Sequence, residues 1–165
     1  MFELKSLHRE AIARSLEKAE HYRLLNEPRV AESICNDILA VDPDNQRAIV
    51  FLILAITDQF DIPSPAGIKQ AMALTHRVTE EYQRLYYTGI IYERQAKAKL
   101  HQNYPDSHYD AYDLLREAME WFEKAEALES DENDDAVLRW NSCARVLMDQ
   151  KLKPRPKDDF SPYLE

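Results

Sequence analysis

The sequence predicts an all-α fold, and three observations carry that expectation. Only 2 of the 165 residues are glycine, far below the ~7% of an average chain, so the glycine-dependent turns of β-hairpins are in short supply. Apolar residues recur at three- and four-residue intervals through most of the chain, the spacing that lines one face of a helix. Prolines fall between these periodic stretches until the last fifteen residues, which hold three of the eight.

The elements follow in order. A first helix is expected from about Ser6 to Leu25, with Ile12, Leu16, Ala19 and Tyr22 on its apolar face, stopped by Asn26-Glu27-Pro28. Pro28 suits the first turn of a second helix, where no backbone N–H is needed. That helix carries Ala31, Ile34, Cys35, Ile38 and Leu39 and ends at Asp42-Pro43-Asp44-Asn45. A third, from about Gln46 to Phe60, is apolar nearly throughout, which predicts burial on several sides. Ser64-Pro65 then reads as N-cap and first turn of a fourth helix, about Ala66 to Val78. A fifth covers about Glu80 to His101, and Tyr104-Pro105-Asp106-Ser107 separates it from a sixth, about Ser107 to Leu128. The acidic run Asp131–Asp135 precedes a seventh, about Asp134 to Gln150, and carboxylates at that end complement the helix dipole. Residues 1–150 therefore read as one helical domain, and 151–165 as an extended, proline-containing tail.

Within the pattern lies a repeat. Val41-Asp42-Pro43-Asp44-Asn45 closes the second helix, and a small residue, Ala31, stands twelve positions before Pro43. This resembles the tetratricopeptide repeat, a helix–turn–helix unit of about 34 residues. The resemblance implies small residues where helices cross, and these map to Ala19, Ile53, Gly89 and Cys143 in the first helices and Ala31, Gly67 and Ala118 in the second. Large residues follow three places on, at Tyr22, Ile56, Tyr92 and Val146. The steps from second to next first helix are 22, 22 and 25 residues, and both glycines fall in the set. Ile53 is large for its slot, and the step from Gly89 to Ala118 is 29 residues, so the third pair of helices is expected to be longer by about two turns each. The implied architecture is a right-handed α-solenoid of three pairs plus a closing helix.

Several function classes lose ground on composition. With 30 acidic and 21 basic residues the net charge is −9, which repels a nucleic-acid backbone. No glycine-rich phosphate loop or dinucleotide fingerprint is present. The N-terminus lacks a secretory layout, and the longest apolar run, Ala48 to Ile56, is nine residues, too short for a bilayer. Cys35 and Cys143 sit inside helical patterns, which fits a reduced cytoplasmic setting. Catalysis has little footing. The five histidines form no H-E-x-x-H pattern, and His101 and His108, near Asp106 and Asp110, read as an exposed hairpin tip. Asp131-x-Asn133-x-Asp135 opens like a calcium loop, but Ala136 and Ser142 stand where glycine and the closing glutamate belong. No reaction, cofactor or metal is expected.

Binding another protein is the expectation that remains. The resemblance implies a concave groove lined by the first helices. Its residues would be Leu16, Glu20 and Arg23; Val50, Leu54 and Thr57; Tyr86, Ile90 and Glu93; and Trp140, Ala144 and Leu147. Mostly apolar, the stripe suits a helix or extended peptide with hydrophobic anchors. Leu16 and Glu20 stand where the clamp of chaperone-associated members has lysine and asparagine, so a C-terminal carboxylate ligand is not expected. The alternatives are a cytoplasmic chaperone of a secreted substrate and a self-assembling subunit. Seven of nine tyrosines fall between Tyr82 and Tyr112, which makes the long third pair the expected surface for a homodimer.

Overall fold

The computed structural model describes residues 1–157. They form seven α-helices and no strand: α1 Ile12–Leu24, α2 Pro28–Val41, α3 Gln46–Thr57, α4 Pro65–Thr75, α5 Glu81–Gln102, α6 Ser107–Glu126 and α7 Asp135–Asp149. The chain is all-α over these residues. Two helix starts are fixed by side chains. Asn45 accepts from the Ala48 N–H at 2.9 Å, and Ser64 accepts from the Gly67 N–H at 3.1 Å. Both satisfy donors that a helix leaves unpaired at its first turn. Pro28 and Pro65 open α2 and α4.

The first helix begins later than the periodicity predicts. A 3-10 turn at Arg9–Ala11 leads into α1, and nothing before it is helical. Arg9 donates to the Val41 carbonyl at 3.1 Å, so Arg9 is level with the last turn of α2. Before it only Leu7 reaches the core, residues 1–6 being exposed, and a turn without further packing is not self-supporting. Helix α3 likewise falls short of the predicted end and stops at Thr57; residues 58–60 continue as turns, Gln59 and Phe60 bonded three residues back.

Each helix packs on the next in chain order, with α1 also on α3 and α3 on α5. The connections alternate between two ends. At one end lie the start of α1 and the α2–α3 and α4–α5 connections, where Gln46 donates to the Arg77 carbonyl at 3.2 Å and Arg77 donates to that of Pro43. The α1–α2, α3–α4 and α5–α6 connections lie at the other. Helices α5 and α6, with 22 and 20 residues against 11 to 14 for α1–α4, make the most extensive contact. It centres on Gly89, where a Cβ would stand 2.6 Å from the Phe122 ring.

Three apolar cores result. Ile49, Ile53, Ile56 and Ile91 centre the first, Ile90, Leu115, Phe122 and Cys143 the second, and Leu54 and Tyr87 touch both, while Leu16, Ile38 and Ala48 form a third. Of the seven expected small-residue positions, all but Gly67 are buried. Gly67 sits in the cap of its own helix, and its missing Cβ would face Ser64. Ile53 is accommodated, fully buried.

After α7 the chain turns back. Lys151 takes a left-handed conformation, Leu152 is buried in the second core, and Arg155 reaches the α5–α6 tip. There it pairs with Asp106 at 3.4 Å and Asp110 at 3.0 Å and lies over the Tyr109 ring. Leu152 and Arg155 thus tie the first residues of the predicted tail back to the domain. Phe160, Tyr163 and Leu164, the large apolar residues of the predicted tail, lie outside the described residues. Among the described residues no helix is long and apolar enough to cross a membrane.

Candidate functional site

The inner sides of α1, α3, α5 and α7 meet along a charged seam. It starts at Asp58, the residue after α3. One of its carboxylate oxygens accepts from Arg23 Nε on α1 at 2.8 Å, and the other accepts from Arg94 on α5. Arg94 also donates to the Leu54 carbonyl at 3.0 Å and the Thr57 hydroxyl at 2.7 Å. The Leu54 carbonyl also accepts from the Asp58 N–H at 2.9 Å, so the guanidinium adds a positive charge at the negative end of α3. Burial pushes the Arg94 pKa down, and the nearby Asp58 carboxylate works against that.

The seam continues one residue back along α5. The Glu93 side chain is 0% exposed; one oxygen accepts from Lys97 at 2.7 Å, and the other lies 3.5 Å from Arg139 on α7 without a hydrogen bond. Arg139 donates to the Tyr86 hydroxyl at 3.3 Å. Burial disfavours the Arg139 charge, but the Tyr86 bond and Glu93 outweigh it and raise the pKa. Four cations therefore face two carboxylates. Arg23 and Arg94 are mostly buried, whereas the side chains of Lys97 and Arg139 are 47% and 37% exposed. In a chain of net charge −9, this local excess of positive charge is an exception.

The expected groove residues divide under this geometry. Leu16, Val50, Ile90 and Glu93 are buried and out of a partner's reach. The helices wrap closely enough that these positions fill the core. Leu54 and Tyr86 are half-buried beside the seam, Leu147 is half-buried against the second core, Arg23 is held by Asp58, and Glu20 is exposed. Trp140 is turned away from the others. Its indole N–H donates to Glu123 on α6 at 2.9 Å, and it lines a cavity of about 300 Å³ between α6 and α7. The α7 side chain that pairs with Glu93 of α5 is its neighbour Arg139. Asp58, Arg94, Lys97 and Arg139 were missed by sequence reasoning. Their pairing spans 35 to 46 residues in part, a relation that helical periodicity does not register.

Nucleophiles and metal ligands fare differently. Burial pushes the thiols of Cys35 and Cys143 up to about 12, so both stay protonated at neutral pH. Asp110 accepts from Tyr104 and Arg155, and Asp106 pairs with Arg155, so the carboxylates near His101 and His108 are already engaged. Among the described residues no three histidine, cysteine or acidic side chains group as a metal site would require. No family model, curated protein or solved structure matches the chain.

Proposed function

We propose that the protein is a non-enzymatic interaction module of tetratricopeptide type, which holds a peptide against the face shared by α1, α3, α5 and α7. One observation carries the reading: the side chains of all four helices converge on a single seam, Arg23–Asp58–Arg94 and Glu93–Arg139. Alternate helices of a stacked array share one side in this way.

The seam also changes the chemistry expected of the ligand. The mostly apolar groove becomes a mixed surface in which Leu54 and Tyr86 flank arginines. Lys97 and Arg139, the two cations with exposed charge, suit a peptide that places an acidic residue beside an apolar anchor. Both cations already serve Glu93, so an incoming carboxylate shares them instead of replacing it.

Random peptides displayed on phage and selected on the folded chain test this. Enriched sequences are expected to pair an acidic with an apolar residue and to lose binding to Lys97→Glu and Arg139→Glu variants. No enrichment, or peptides that bind those variants undiminished, would remove the reading.

A further inference from the structure

We infer that the protein associates head to tail with copies of itself, the segment Phe2–Lys5 of one copy entering an apolar pocket at the opposite end of the next. This does not rest on the peptide-binding face. The segment precedes the first turn, is not helical, and leaves Phe2 and Leu4 fully exposed. In an extended chain residues two apart point to the same side, so Phe2 and Leu4 form a pair of anchors with Glu3 and Lys5 behind them.

The pocket, of about 410 Å³, lies between the α1–α2 and α3–α4 connections. Pro28, Val30 and Ile62 supply its apolar lining, Glu27, Asp61 and Arg29 its free charges, and Asp58, already held by Arg23 and Arg94, borders it. Val30 and Ile62 in its lining are exposed, as are Leu24 and Leu25 just before it in the chain, more large apolar surface than one end of a monomer ordinarily leaves open. Lys5 and Glu3 find opposite charges in Asp61 or Glu27 and in Arg29.

A second copy is the occupant because the chain cannot fill its own pocket. Leu7 packs against Leu16, Ile38 and Ala48, at the end where Arg9 meets Val41. From Leu7 to Phe2 the chain spans at most about 17 Å. The 3-10 turn and α1, which separate Leu7 from the pocket, run about 26 Å. The donor and acceptor surfaces are different and lie at opposite ends, so the contact is heterologous and repeats until a ring closes or a chain runs on.

Sedimentation equilibrium of the whole chain tests this. The average mass is expected to rise above 19.3 kDa between about 10 and 500 µM, the regime of a contact smaller than a stable interface. A Phe2→Asp/Leu4→Asp variant and an Ile62→Asp variant each stay at 19.3 kDa, with unchanged circular dichroism because all three positions are exposed. Each keeps one competent end, so an equimolar mixture forms one-to-one dimers and nothing larger. A parent chain that remains monomeric, variants that still associate, or a mixture that does not would each overturn the inference.

Discussion

The Phe122 ring on α6 occupies the space where a side chain on Gly89 of α5 would begin. A Cβ there would lie 2.6 Å from ring carbon Cε1 and 2.8 Å from Cδ1, and Phe122 is fully buried. Gly89→Ala is expected to lower stability by about 1–3 kcal/mol through overpacking, even after the ~1 kcal/mol gained in helix propensity. Gly67→Ala, whose Cβ would meet Ser64 Oγ at 3.1 Å and Ile56 at 3.7 Å, is expected to change it by no more than about 1 kcal/mol. Urea titrations of both variants decide; equal effects would mean that the ring turns aside freely.

Asp58 holds two guanidiniums at once. Replacement by asparagine leaves Arg23 and Arg94 facing each other across a mostly buried site, with an expected loss of about 1–3 kcal/mol. Arg94→Met gives up the bonds to Leu54 and Thr57 as well. The two changes together should cost less than their sum, and a double-mutant cycle that shows strict additivity would contradict the pairing.

Glu93 predicts an asymmetry. Its removal as Glu93→Met leaves two cations that already reach solvent, so the cost should stay below about 2 kcal/mol. The double substitution Lys97→Met/Arg139→Met instead strands a fully buried carboxylate, and about 3–5 kcal/mol should be lost. Thermal melts that rank the variants the other way would refute the burial argument.

Much of this architecture is legible in residue order, for local reasons. Pro28, Pro65, Asn45 and Ser64 mark helix starts because proline and short polar side chains act within one turn of themselves. The unequal spacing around Gly89 and Ala118 carries the extra length of α5 and α6. Ser6 misleads as a start, because helix formation there depends on a packing neighbour that the local pattern does not specify. At the candidate site the reading of Leu16, Val50 and Ile90 finds the inward direction but not the depth. Arg139 and Arg94 sit one position from the expected stripe, beside Trp140 and Glu93, and their partners lie on other helices.

Alkali should weaken the fold through its thiols. Burial raises Cys35 and Cys143 from 9.0 to about 12 and, with it, Tyr82 from 10.0 to about 12. Folded-state pKa values above the unfolded ones mean that these groups contribute fully below pH 9.0. The contribution is lost as the pH rises towards 12, because the unfolded chain releases its protons first. The melting temperature should fall over that window. In a Cys35→Ala/Cys143→Ala variant the decline should begin nearer the tyrosine range; an unchanged profile would rule the thiols out.

Because no helix waits for a distant segment of the chain, assembly can proceed by neighbours. The α5–α6 hairpin closes over only four intervening residues, so its loop-closure entropy is small while its contact is the largest. Folding should nucleate there and spread outward, on the microsecond-to-millisecond scale of low-contact-order proteins. Substitutions at Phe122 or Leu115 should then slow refolding, while those in α1 mainly hasten unfolding.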